Sequence, residues 1–176
     1  NFSIAEIIKK IQIQGNDRIS KDTILLFGKV SLNDNIDKND LNVILKRLYD
    51  TNYFKDVSVS INNNLLLIQV LENPIIENIN YEGIKANKIL EALKENSKIK
   101  PRSSFNDIIL KQEKIRIQSI LKKLGYYNSE LEIYVTDKNN NLVDITLDFI
   151  LGEKAKIKKI SFIGDKIFKD SKLKRI

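Results

Sequence analysis

The strongest constraint on this chain is a phrase that occurs three times: Ile11-Gln12-Ile13-Gln14-Gly15, Ile79-Asn80-Tyr81-Glu82-Gly83 and Ile160-Ser161-Phe162-Ile163-Gly164. In each copy apolar and polar residues alternate until a glycine ends the run, the pattern of a half-buried strand leaving through a tight turn. The closing glycines lie 68 and 81 residues apart, too far for a solenoid of one or two helices per repeat and suited to a small complete domain. A chain with this periodicity reads as an array of small modules, and such arrays bind or space other molecules.

The residues after each glycine repeat as well. Ser20 is placed to cap a short helix through Ile24, Leu25 and Phe27, with Gly28 to end it. A second helix is expected from Asp37, where Asp40 completes a capping-box start and Leu41, Ile44, Leu45 and Leu48 recur at helical spacing. After Gly83 the order returns, with a short helix through Ile89, Leu90 and Leu93 and a longer one from Ser104 carrying Ile117, Ile120, Leu121 and Leu124. The helix exits match too: Asn52 stands opposite Gly125, the two residue types that best tolerate a left-handed turn. Two strands come next in each unit. Asp56 to Ile61 and Leu65 to Leu71 flank Asn62-Asn63-Asn64, and Glu130 to Thr136 and Leu142 to Phe149 flank Asp137 to Asn141, so both pairs read as hairpins. Val57, Val59 and Ile61, like Leu131, Ile133 and Val135, alternate with polar neighbours, which assigns one face of each strand to the core.

The unit is therefore β-α-α-β-β, an α+β fold in which a three-stranded mixed sheet packs on two antiparallel helices. Two helices return the chain to its starting end, so the second strand runs antiparallel to the first and the third runs parallel to it. The third strand is assigned to the middle, because Leu65 to Leu71 is apolar at nearly every position and a central strand is the best covered. That leaves the first hairpin strand as an edge with open backbone groups. Residues 1–73 and 74–152 make two complete units, and 153–176 begin a third. Proline restricts the residue before it, so the joint Glu72-Asn73-Pro74 is expected to be short and stiff, and Gly152-Glu153 to bend more.

Charge and composition bound the chemistry. The formal charge is +7, but from Glu153 onward nine basic residues face three acidic ones, so the two complete units are almost neutral and the basic excess belongs to the start of the third. With no histidine and no cysteine, triads, thiol nucleophiles, disulfides and thiolate metal sites are excluded, and no enzyme is expected. Asp137-Lys138-Asn139-Asn140-Asn141 imitates half of a calcium loop, but Leu142 stands where that loop needs glycine and Asp148 where it needs a bidentate glutamate, so it reads as a turn. Asp144, Thr146 and Asp148 share one strand face, read as a solvated outer surface with nothing nearby to perturb the carboxylates. A KH-like nucleic-acid module begins with the same element order, yet its GxxG backbone clamp is missing from Gly28-Lys29-Val30-Ser31 and from Asn96 to Arg102, so no nucleic-acid partner is expected. No run approaches 18 apolar residues, and Asn1-Phe2-Ser3 carries no basic and then apolar leader, so a soluble, already processed chain is expected.

The pattern Ile11-x-Ile13-x-Gly15-Asn16-x-Arg18-Ile19-Ser20, the stretch from Leu48 to Val57, and Val70-Leu71-Glu72-Asn73-Pro74 leading into Ile79-x-Tyr81-x-Gly83 resemble POTRA domains, the polypeptide-transport-associated modules of the Omp85 superfamily. The likeness runs over almost the whole chain. It implies a periplasmic arm in front of a C-terminal β-barrel in the cell outer membrane. Such an arm receives unfolded outer-membrane proteins from periplasmic chaperones, docks accessory lipoproteins of the assembly machine, and carries no cofactor. An edge strand can accept an extended client through backbone hydrogen bonds that ignore side-chain sequence. Docking is therefore expected along Asp56, Val57, Ser58, Val59, Ser60 and Ile61, and along Glu130, Leu131, Glu132, Ile133, Tyr134, Val135 and Thr136. Proline at Ser58 or Tyr134 is expected to remove an edge donor or distort the strand. The POTRA region of a two-partner secretion or other translocation barrel, and the periplasmic module of a division protein, are the other memberships the resemblance allows.

Overall fold

The computed structural model describes residues 5–156. The third phrase, Ile160 to Gly164, and the third unit from residue 157 onward lie outside the described residues. A short strand β1 (Glu6–Ile7) and strand β2 (Lys10–Gln14) lead to helix α1 (Lys21–Gly28), strand β3 (Asn35–Ile36) and helix α2 (Lys38–Asp50). The hairpin β4 (Phe54–Asn62) and β5 (Leu65–Glu72) completes the first sheet. Strand β6 (Ile75–Glu82), helices α3 (Asn87–Lys94) and α4 (Asp107–Lys123), and the hairpin β7 (Glu130–Lys138) and β8 (Leu142–Ile150) then repeat that order.

The sheets are ordered β2-β5-β4 and β6-β8-β7. In each, the last strand sits in the middle, parallel to the first and antiparallel to its hairpin partner. The tight turn between β4 and β5 is made by Asn63 and Asn64, both left-handed, as asparagine allows. Burial along β5 and β8 alternates, because helices cover only one face. Leu66 and Ile68 are fully buried, as are Ile145 and Leu147. The expectation that a central strand is covered throughout holds on that face only: Leu71 is exposed on the other. Two separate cores result. Ile24, Ile44 and Leu48 from the helices pack on the first sheet, and Leu93, Ile117 and Leu121 on the second.

Local chemistry accounts for the helix limits, with two corrections. The Ser20 side chain accepts the Thr23 N–H at the start of α1, and Asp37 and Asp40 close a reciprocal capping box at the start of α2. Gly28, however, is the last residue of α1 rather than its stop, and the left-handed cap falls on Lys29 at φ 52°. Gly28 is needed for another reason, since a Cβ there would lie 3.3 Å from Ile44 Cγ2, where α1 crosses α2. Helix α4 begins at Asp107, not Ser104. Asn106 caps it through the Ile108 and Ile109 N–H groups, while Ser104 is drawn into a β-bridge with Ile75. That bridge and the β1–β3 pair are invisible to periodicity, because two residues cannot express a period. Strand β6 likewise starts at Ile75, four residues before the alternating phrase, through a bulge between Ile76 and Asn78.

The recurrent glycine has one cause in both sheets. Gly15 and Gly83 both sit at φ 79°, and a Cβ on either would stand 2.0 Å from the Val70 carbonyl oxygen or 1.9 Å from that of Phe149. The exit from each first strand thus presses on the backbone of the central strand, and only glycine permits it. Gly15→Ala and Gly83→Ala are expected to cost about 2 kcal/mol or more each, from positive-φ strain and the clash. Urea unfolding measures this, and an unchanged midpoint contradicts the packing described.

Candidate interaction edges and the joint between sheets

Strands β4 and β7 lie at sheet edges, where the sequence places the open backbone groups. On β4 the availability of that edge is uneven. The Val57 N–H points away from β5 and donates to the Tyr49 hydroxyl at 3.1 Å and to Asp56 Oδ1 at 2.9 Å. Tyr49, on α2, in turn donates to Asp56 at 2.8 Å. Accepting the Val57 N–H favours the phenolate, but the neighbouring Asp56 carboxylate holds the proton on, and the phenol is pushed above its ordinary value. Asp56 and Val57 are thus engaged within the module itself. Antiparallel alternation turns the N–H groups of Val59 and Ile61 outward as well and that of Ser58 inward to β5. Proline at Ser58 therefore strikes the internal ladder, and Val59 is the position that carries an open donor.

Strand β7 is open differently. Glu130, Glu132, Tyr134 and Thr136 face outward, with the Tyr134 hydroxyl hydrogen-bonded to the Glu132 carboxylate. Leu131 is buried and Ile133 half-buried, but Val135, assigned to the core, is 38% exposed although its cross-strand partner Ile145 is fully covered. The layer under β8 stops short of the edge here, which leaves an apolar shelf beside the strand. On the outer face, Asp144 is not unperturbed. Burial alone would raise its carboxyl, but hydrogen bonds from Asn78 and Lys138 outweigh that and hold it below the usual carboxylate range. Lys138 also pairs with Glu77 at 2.5 Å, so the three strands are tied across their outer face.

The joint residues carry more than the proline. The Glu72 carboxylate, 3% exposed, accepts the backbone N–H groups of Asp17, Arg18 and Ile19, each at 2.9 Å, and the Arg18 guanidinium at 3.0 Å. Arg18 also donates to the Asn73 carbonyl at 2.6 Å. Asn73 is buried, its N–H donating to Tyr53 O and its side chain to Asn52 O. From the second sheet's side, Asn141 donates to the Glu72 carbonyl, Asn106 to the Asn52 side chain, and the Phe105 N–H to the Pro74 carbonyl at 2.7 Å. Gly152 is left-handed at φ 67°, with Glu153 exposed beside it. Sequence reasoning finds Glu72 and Asn73 but not the loop they hold, since the Asn16 to Ser20 stretch enters there only through the pattern that carries the family resemblance and, at Ser20, as a helix cap.

A second buried carboxylate escapes the sequence reading. Glu113 on α4, fully buried, accepts the Ser97 hydroxyl at 2.7 Å, the Lys98 N–H at 3.1 Å and Arg116 through two nitrogens at 2.6 and 2.9 Å. Arg116 also caps the end of α3 through the Leu93 and Glu95 carbonyls. The Glu-x-x-Arg spacing is the available signal, though the same spacing on a solvated helix face would look identical. Among the described residues no group of acidic side chains is arranged to hold a metal ion.

The sequence profile of the POTRA family, described as surface antigen variable number repeat, matches residues 74–150, the segment that forms the second sheet and its helices. Outer membrane protein assembly factor BamA of Neisseria meningitidis is 29% identical over 170 residues, covering 96% of this chain and 21% of that protein. BamA of Nitratidesulfovibrio vulgaris is 27% identical over 183 residues, covering 99% of this chain and 23% of its own length. The chain thus spans between a fifth and a quarter of these relatives. Among solved structures, the N-terminal domain of Omp85 from Thermosynechococcus elongatus shares the fold at TM-score 0.56 and 12% identity, over 81% of this chain and 62% of that one.

Glu72 gives a pH prediction. Burial would raise its carboxyl, but three backbone donors and Arg18 outweigh it, so in the folded protein it titrates below its ordinary 4.5. A depressed folded value means the stabilisation is complete above the unfolded value and is lost as pH falls below it toward the folded one. Glu72→Gln is expected to cost about 2 kcal/mol at pH 7 and to flatten the decline in stability on acidification below about pH 4.5. Parallel denaturation curves for parent and variant across that range count against this account.

Proposed function

We propose that this chain, whose residues 74–150 match the POTRA family and which is BamA-like in sequence, is the periplasmic arm of an outer-membrane β-barrel assembly protein of the Omp85 superfamily and receives unfolded outer-membrane proteins along β4 and β7. Support comes from one repeated construction. Each sheet presents the first strand of its hairpin as an edge, with donors such as the Val59 N–H turned outward and apolar side chains beneath it, Val59, Ile61 and Ile133 half-covered and Val135 exposed. An extended client added there satisfies its own backbone and lays alternate apolar side chains over that shelf, which suits a receptor for many sequences of one secondary structure. Accessory lipoproteins and chaperones are partners in the same proposal. Among the described residues no helix is long and apolar enough to cross a membrane. The joint at Glu72-Asn73-Pro74 acts in this reading as a stiff spacer, and Gly152-Glu153 as the looser one.

The test places photo-crosslinking residues at the exposed positions Ser60 and Thr136 and offers an unfolded outer-membrane protein segment. Both positions are expected to crosslink, and Val59→Pro to reduce the Ser60 adduct severalfold while circular dichroism shows an intact fold. An adduct no stronger than at Lys111 on α4, or one indifferent to Val59→Pro, rejects the edge-docking proposal.

A further inference from the structure

Each sheet has a second edge. Strand β6 ends its sheet opposite β7, and only its beginning is covered on the outer side: Ile76 donates to Ser103 O at 2.9 Å and accepts the Arg102 N–H at 2.7 Å, next to the Ile75–Ser104 bridge. From Ile79 to Glu82 no further strand flanks that side among the described residues. Beside this stretch lies a depression of about 300 Å³ lined by Ile79 and Tyr81 of β6, Lys94 at the end of α3, and Ile99, Lys100 and Pro101 of the loop after it. Its walls are mainly apolar, with Ser97 also in the lining, and the charged groups that line it are two ammonium ions with no carboxylate. The Lys94 ammonium lies 5.2 Å from the centre of the Tyr81 ring, which steadies it over the cavity.

The loop is held in place before any ligand arrives. Ser97 and the Lys98 N–H are bonded to the buried Glu113, and Arg116 fixes the carbonyls at the end of α3. From Lys94 to Arg102 the chain carries four basic residues and one acidic one, Glu95, in a unit that is otherwise close to neutral. This chemistry is not a by-product of the fold. The equivalent depression beside β2 is lined by Ile11, Leu25, Leu26 and Leu32 with Asp22, Asp34 and Lys29, so its charges are mixed.

We infer that the β6 edge binds an extended acidic peptide, whose backbone pairs along Ile79 to Glu82 and whose carboxylate side chain sits between Lys94 and Lys100. An added strand directs alternate side chains into the depression, and a glutamate stem against Ile79, Ile99 and Pro101 brings its carboxylate to the two ammonium groups. Charge-assisted hydrogen bonds over an apolar floor are stronger than the same contacts in open water. The site stands on different strands and different residues from the hairpin edges and does not depend on them.

The experiment uses the whole chain and two labelled peptides of alternating Thr and Val, one with a central Glu and one with Gln in its place, with binding read by fluorescence anisotropy. The Glu peptide is expected to bind about tenfold more tightly than its Gln twin. Lys94→Gln combined with Lys100→Gln is expected to erase that difference and leave the thermal midpoint unchanged, since both side chains are exposed. Equal affinity for the two peptides overturns the inference, as does a preference for Glu that survives the double substitution. Binding lost in Val59→Pro but untouched by the lysine changes assigns the peptide to the hairpin edge and likewise overturns it.

Discussion

A single residue ties the first sheet to its own leading loop through its carboxylate and to the module beyond through its backbone carbonyl. Glu72 ends the central strand, and its oxygens collect three consecutive backbone N–H groups from the segment that leads into α1. Three donors converging on one oxygen, with a guanidinium on the other, compensate the cost of taking a charge out of water. The carbonyl of the same residue accepts Asn141 from the far hairpin, so the side chain looks back into its own module and the backbone looks forward. The course of the chain through the joint is fixed from both ends by hydrogen bonds, and Pro74 narrows a path already chosen.

The second module solves the same problem in another place. At the end of β8 the residue in the position of Glu72, counted from the glycine contact, is Leu151, and no carboxylate can gather the loop there. The buried charge has moved to α4, where Glu113 gathers the loop between the helices instead. Modules that share a backbone thus differ in which loop is held by a buried ion, and with it in which edge is flanked by an ordered basic wall. Identical topology carries different surface chemistry for that reason.

Repeats, caps and turns are legible because they depend on nearest neighbours. Ser20, Asp37 and the Asn63-Asn64 turn act within three or four residues, and their side chains compete for local backbone groups wherever the sequence sets them. Misreadings arise where a distant partner intervenes. Ser104 looks like a cap until Ile75 claims its backbone, Gly28 looks like a stop although Ile44 is what requires its small size, and Val135 keeps the core pattern at a place the core does not reach.

By itself the sequence determined the module, its order of elements, the central place of the last strand and the poverty of reactive side chains, all consequences of periodicity, of residue type and of what is missing. Tertiary structure alone decided which backbone donors remain open, that Tyr49 closes the start of one edge, and that Lys94, Tyr81 and Lys100 come together beside another. The division comes from range: periodicity and capping are written in adjacent residues, whereas exposure of an edge and convergence of charges depend on segments that meet only after the chain has packed.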